Sequence, residues 1–333
     1  MTQAKRTYPV VDLHCDMTHY LATVDNASPD NTQQVGCATP FLKEGKVALQ
    51  VMAISSVEET PDLSVSNAQI AWYGKLLADY SDSFTTFGDP QEIDRISQSG
   101  KTAIVPAIEN ASSFCGADDS LEDAFMFLDR LIADIGRPLY ISLTHHRENR
   151  FGGGNTTDVG LKDDGRTLLQ YLNGKKIAVD LSHTSDDLAH DIIDHIDSAG
   201  LRIPIIASHS NFRSVHDHRR NLPDELAKEI MSRQGLIGIN FVRAFMHPSD
   251  PAYLMKHIEY GLSLGGEKAI ALGADFFYTD DHPDQSRRPF YFPEHENAGK
   301  YVDILHDLTG RFGESTANNI ANQNALRFMK RLG

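Results

Sequence analysis

The sequence predicts an α/β protein folded as a (β/α)8 TIM barrel, and three observations carry that expectation. Eight short apolar runs, each too short for a helix, alternate with amphipathic stretches of helical period. No Gly-x-Gly-x-x-Gly turn follows the first run, so the open doubly wound sheet, which would give the same alternation, lacks its usual signature. No composition break, linker or repeat divides the 333 residues, and one barrel commonly takes about 250 residues or more. A single barrel domain over residues 1–333 is expected.

In chain order, strands are expected at 8–13, 47–54, 102–108, 139–143, 176–181, 203–207, 236–240 and 269–272, several of them rich in Val and Ile. Helical patterns fill 64–80, 121–134, 165–172, 185–197, 224–233 and 251–264. Two starts carry local chemistry: Ser185-Asp186-Asp187 offers a capping hydroxyl and acidic first-turn residues, and Pro223-Asp224-Glu225 offers a proline and two carboxylates. After the last strand, residues 279–299 form a polar stretch with Pro283, Pro289 and Pro293 that reads as a long loop, and 316–332 reads as a closing helix.

Composition narrows the function. Asp and Glu number 46 against 31 Lys and Arg, a net charge of −15 whose field repels phosphate backbones and anionic membranes, so neither nucleic acid nor membrane is an expected partner. The start, with its Lys5-Arg6 pair, holds no apolar run suited to a signal peptide, and no segment approaches the roughly 20 apolar residues of a membrane span, so a cytoplasmic location is expected. Cys15, Cys37 and Cys115 lie far apart without a Cys-x-x-Cys pair, which argues against a disulfide framework or a cysteine zinc site. Any metal would be held by His and carboxylates.

Barrel chemistry gathers at the C-terminal ends of the strands, and six of the eight runs finish on His, Asp or Glu. These ends are His14/Asp16, Glu109, His145/His146, His183, His209 and Asp275. The same His-x-Asp spacing at His195/Asp197, inside a helical pattern, and at His282/Asp284, in the long loop, reads as solvent-facing coincidence. His14 and Asp16 differ by position, since residues i and i+2 of a strand project to one side and both can reach one ion. Alone, the pair would serve equally as a hydrogen-bonding pair at the barrel mouth. With Glu109, His183 and His209 it makes three imidazoles and two carboxylates at one end of the barrel, a set suited to two divalent ions sharing a carboxylate and to hydrolysis by an activated water.

These residues carry a family resemblance. Val10-Val-Asp-Leu-His-Cys-Asp16, Val179-Asp-Leu-Ser-His183, and Ser208-His-Ser-Asn-Phe-Arg-Ser-Val215 leading to Arg219-Arg-Asn-Leu-Pro-Asp224 resemble the membrane (renal) dipeptidase family, peptidase family M19, among the metal-dependent amidohydrolase-like barrels. The order of motifs agrees from Val10 to about Arg331. The resemblance implies a binuclear zinc dipeptidase, often a homodimer, with a free dipeptide as substrate. His14 and Asp16 would hold one Zn2+, His183 and His209 the second, and Glu109 would bridge them. His145 would meet the reacting carbonyl oxygen, Arg220 the substrate carboxylate, and Asp275 would shuttle the proton of the attacking water. On their own residues, Arg220 beside Arg219 reads as a solvated face and Asp275 as a cap, while His145 and His146, being adjacent in a strand, should not both face the pocket.

The chain departs from the family pattern in places. Asn110 follows the bridging glutamate where the family usually has Gly, and Cys15 replaces a common Asn, reading as a packing residue that points away from its neighbours. The run Phe151-Gly-Gly-Gly-Asn155 and the 279–299 loop match no family signature, which leaves substrate choice open, including whether a D-residue is accepted at the carboxyl side. Another amidohydrolase, acting on a β-lactam, a lactone or an N-acyl amino acid, is an alternative, although relatives of that kind often use a carboxylated Lys at a strand end and none stands there. An inactive metal-binding scaffold is the alternative from another class.

Overall fold

The computed structural model describes residues 7–56 and 63–333; the basic start read above lies outside them. Among the described residues nine strands form one sheet: β1 (Val10–Cys15), β2 (Val47–Ser55), β3 (Phe84–Thr86), β4 (Thr102–Glu109), β5 (Tyr140–Ser142), β6 (Ala178–Asp180), β7 (Ile205–Ile206), β8 (Ile237–Ile239) and β9 (Ile270–Leu272). The order is β7-β6-β5-β4-β2-β1-β9-β8, with every pairing parallel. A parallel bridge between Ala207 and Ile237 brings β7 to β8 and closes the ring. The short β3, which the sequence did not reveal, pairs with β4 outside the ring.

Each ring strand lies where an apolar run predicted one, because a parallel strand covered on both faces must be apolar nearly throughout. Its ends differ by at most two residues. The difference matters at β1, which begins at Val10 rather than Tyr8 and extends to Cys15, so that His14 lies within the strand. At β5 the strand stops at Ser142, short of Leu143. The Ser185 hydroxyl accepts the Leu188 amide at 2.9 Å and starts the helix Asp186–Ser198 as expected. Helices Met17–Thr23, Thr39–Glu44, Ile93–Ser99, Arg243–Met246 and Tyr301–Phe312 were not anticipated.

The closing helix runs from Glu314 to Leu332, starting two residues earlier than expected, and a π-turn at Asn319–Gln323 separates Glu314–Asn318 from Asn324–Leu332. The Asn324 amide donates to the carbonyls of Glu267 and Ile270 at 3.0 and 2.8 Å, and the Asn322 amide to that of Pro9 at 2.7 Å, so the turn satisfies backbone at the bottom of β1 and β9. Phe328, Met329 and Leu332 then plug the lower core against Val11, Leu13 and Leu49. The long loop is polar only in its first half, since Phe290, Tyr291 and Phe292 are buried. None of the described helices is long and apolar enough to cross a membrane.

Candidate active site

The upper end of the barrel holds a cavity of 440 Å³ whose floor includes Asp16, Glu109, His183 and Asp275. Two groups of donor atoms meet there. The His14 Nε2 lies 3.6 Å from Asp16 Oδ2 and 3.7 Å from Glu109 Oε2. The other glutamate oxygen, Oε1, lies 2.9 Å from His183 Nε2 and 3.4 Å from His209 Nε2, and the two imidazole nitrogens are 3.0 Å apart. Glu109 therefore offers one oxygen to each group. All five residues that the sequence singled out as metal donors come together.

The supports beneath them are what the sequence reading missed. The Tyr140 hydroxyl donates to the Leu13 carbonyl at 3.0 Å and therefore accepts from His14 Nδ1 at 2.7 Å, which turns Nε2 toward the cavity. The same logic holds for His209. Ser208 Oγ donates to Asp180 Oδ2 at 2.6 Å and accepts from His209 Nδ1 at 2.6 Å. The other Asp180 oxygen takes the amides of Ser182 and Ser208 at 3.0 and 2.8 Å. Asp12 does the equivalent under β1, accepting the amides of His14 and Ala274 at 3.1 and 3.2 Å and the Tyr301 hydroxyl at 2.6 Å. A signal for both aspartates was present: Val-Asp-Leu recurs at 11–13 and 179–181, an acid inside an apolar strand just ahead of each histidine.

Close approach of strands is needed to seat His209. A Cβ on Gly238 or Gly273 would fall 1.9 or 2.0 Å from the Ser208 carbonyl oxygen, so glycine is required at both positions. Backbone strain marks the same rim. Asn110, His183 and Asp275 have φ of 71°, 70° and 64°, a left-handed conformation that costs a non-glycine residue about 1–3 kcal/mol. Asn110 stands where the family pattern has Gly, and its Oδ1 accepts from Asn149 Nδ2 at 2.9 Å, which ties the end of β4 to the turn ahead of the glycine-rich run.

Asp275 sits between the groups and the chamber. Its Oδ2 accepts from Asn240 Nδ2 at 2.8 Å, its Oδ1 lies 3.8 Å from His14 Nε2, and its carbonyl accepts the Tyr291 hydroxyl. It is thus almost as near His14 as Asp16 is. Burial pushes its carboxyl up to about 7, against the opposing charge of His14, and burial pushes Glu109 up to about 8. For His14, burial would lower the pKa, but the charge of Glu109 and the carboxylate of Asp16 3.6 Å away outweigh it and raise the ring to about 10, so the surroundings of this nitrogen favour a positive charge on it, whether proton or cation. Burial holds His183 and His209 well below the ordinary imidazole value, helped by Arg220 for His183 and by His14 for His209.

This donor set fits divalent cations. Three carboxylates share the floor with imidazoles, two of which, His14 and His209, have Nδ1 engaged beneath and Nε2 turned inward, and the buried His14 Nε2 and Asp16 Oδ1 have no hydrogen-bond partner among the described residues. Held this close, the carboxylates repel unless a cation lies among them.

Several sequence expectations change. His145 and His146 both line the cavity, because β5 has ended at Ser142 and strand alternation no longer applies. His282, read as a solvent-facing coincidence, lines it too, carried in by the long loop. The arginine pair divides: Arg219 is exposed and paired with Asp158, whereas Arg220 is buried, with Nη1 on Ser210 Oγ at 2.9 Å, Nη2 on the His209 carbonyl at 3.1 Å, and Nε without a partner among the described residues. Cys15 is buried in the core as a packing residue, and all three cysteines are free.

With this geometry in view, the chain was compared with known proteins. The family model described as Membrane dipeptidase (Peptidase family M19) matches residues 1–332. The chain belongs to peptidase family M19. Among curated relatives, an uncharacterised dipeptidase of Schizosaccharomyces pombe is 31% identical over 185 residues, a match that takes in 52% of this chain and 44% of that one. The chain thus spans under half the length of that relative. Two solved structures share the fold over 98% of the chain: a dipeptidase described as an M19 metallopeptidase, with a TM-score of 0.80 at 21% identity over 99% of its length, and a Rhodobacter sphaeroides metallopeptidase bound to a phosphinate mimic of L-Ala-D-Ala, with 0.79 at 18% over 100%.

Proposed function

We propose that this M19 protein is a metallo-dipeptidase, its catalytic domain formed by the whole chain, that hydrolyses the peptide bond of free dipeptides at a binuclear zinc centre. His14 and Asp16 would hold one ion, His183 and His209 the other, with Glu109 between them. The observation that carries the reading is the split of the two Glu109 oxygens, one toward His14 and one toward His183 and His209. Divalent ions in such a site supply Lewis acidity, lowering the pKa of water toward neutrality and polarising a carbonyl oxygen.

The chain's own residues do the rest. Asp275, with one oxygen fixed by Asn240, keeps the other free on the floor, suited to take the proton of the attacking water and return it to the leaving amine. His145 lines the chamber beside His183, ring centroids 4.3 Å apart, where a neutral imidazole can donate to the substrate carbonyl oxygen; burial lowers its pKa and keeps it neutral. Arg220, buried against Phe245 of the chamber wall with its Nε–H unpartnered among the described residues, is suited to a substrate carboxylate. A free dipeptide matches a chamber with donor groups at one end and a cation at the other.

A dipeptide library assayed on zinc-reconstituted protein, with L- and D-residues at the second position, tests the reading. Cleavage of free dipeptides, abolished by chelation and restored by zinc, is the expected result. Stoichiometric metal with no turnover of any dipeptide would reject it in favour of a metal-binding scaffold.

A further inference from the structure

The first half of the 279–299 loop is the part of the chamber that the family motifs leave unassigned. With Phe277 just ahead of it, the loop supplies Asp281, His282 and Arg287 to the wall above the floor. Arg287 ends the turn Gln285–Arg287, and its position is fixed from several sides. The Gln285 amide holds the carbonyls of Thr279, Asp280 and His282 at 3.0, 3.2 and 2.7 Å, closing the loop tip on itself. The Arg287 guanidinium lies over the rings of Phe245 and Phe290, at 5.6 and 5.9 Å from their centres. Its near polar contact is His282 Nε2 at 3.5 Å. Arg288 beside it is paired with Asp280, but Arg287 forms no ion pair among the described residues.

Arg220 and Arg287 share a landmark. Each guanidinium carbon lies 5.6 Å from the centre of the same Phe245 ring, so both cations sit at the carboxyl-terminal end of the substrate in the reading above. With the α-carboxylate assigned to Arg220, Arg287 is left facing a second anionic group on the same residue. We infer that Arg287 selects dipeptides whose carboxyl-terminal residue is acidic, aspartate or glutamate, by pairing with the side-chain carboxylate. The inference rests on the dipeptidase reading for the orientation of the substrate. Two carboxylates on one amino acid match two cations flanking one aromatic ring, and a half-exposed charge-assisted pair is worth about tenfold in specificity.

The test compares kcat/KM for Ala-Glu and Ala-Gln, with Glu-Ala and Gln-Ala as positional controls, on the zinc-loaded full chain and on its Arg287→Gln and Arg287→Glu variants. The expected result is an Ala-Glu preference of about tenfold in the parent, a ratio near one in Arg287→Gln, and a gain for Ala-Lys in Arg287→Glu. Binding of free glutamate against glutamine, by calorimetry, gives the same comparison without turnover. Dipeptide cleavage with no acidic preference at the second position, or a preference that survives Arg287→Gln, overturns the inference and leaves the dipeptidase reading standing. Tighter binding of glutamate that depends on Arg287, in a protein that cleaves no dipeptide, supports the anion site and rejects the dipeptidase reading alone.

Discussion

The floor and the rim of the chamber are held in different ways. On the floor, the histidines and carboxylates stand on or just beyond strands, and three of them have a buried partner behind: Tyr140 behind His14, Ser208 and Asp180 behind His209, and Asn240 behind Asp275. On the rim, Phe277, His282 and Arg287 hang from a loop closed mainly on itself and stacked on aromatic rings. Groups that must keep an ion or a proton in register are anchored through the sheet. Groups that choose among side chains are carried where sequence can change without disturbing the barrel.

The largest break in that contrast is at the bridge. Chelation, or Glu109→Ala, should abolish turnover, and metal analysis of Glu109→Ala should find less than the two ions per chain expected of the parent; a variant that keeps both ions refutes bridging. Next comes Asp275→Asn, which preserves shape and removes the base. Turnover should fall by about two to four decades while metal content survives. Near-parental turnover, or metal lost along with activity, would make Asp275 something other than a proton carrier.

Arg220→Ala sharpens the comparison from the substrate side. It should cost one to two decades, roughly, in kcat/KM for free dipeptides and little for carboxyl-amidated ones, which the parent should already cleave poorly. Equal cleavage of amidated and free dipeptides by the parent would remove Arg220 from the binding role. The smallest effect expected is at Tyr140→Phe, which removes the acceptor that orients His14. Zinc affinity measured by competition with a chelator should weaken by about tenfold, at the low end for a lost outer partner. No change would show that packing alone sets the ring.

Legibility in the sequence follows the same division. The barrel and its five candidate donors could be read because a parallel strand writes itself as a local apolar run, and its end is the next residue along. Tyr140 could not be read that way, since its partner His14 is 126 positions distant and nothing near Tyr140 distinguishes it from a core residue. The misreading of His146 came from extending β5 past Ser142, and that of His282 from treating a loop as surface when its second half is pinned by buried aromatics. Asp12 and Asp180 were within reach, because an acid in an apolar strand has to be paired with something.

The closure of the ring has a consequence for how the molecule breathes. β2 and β4 are joined along residues 49–55 and 103–109, whereas β7 is two residues long and meets β8 through one bridge, with the amides of Ala207, Ser210 and Gly238 crossing it. Amide hydrogen exchange should therefore find this seam more labile than the β2–β4 ladder. His209 lies on one lip of the seam, with Asn240, the anchor of Asp275, on the other, while His14 and Asp16 stand on or just past β1, which is two strands away and laced to β2. An opening there disturbs one half of the floor and spares the other, so the two cation positions should differ in how readily they surrender their occupants.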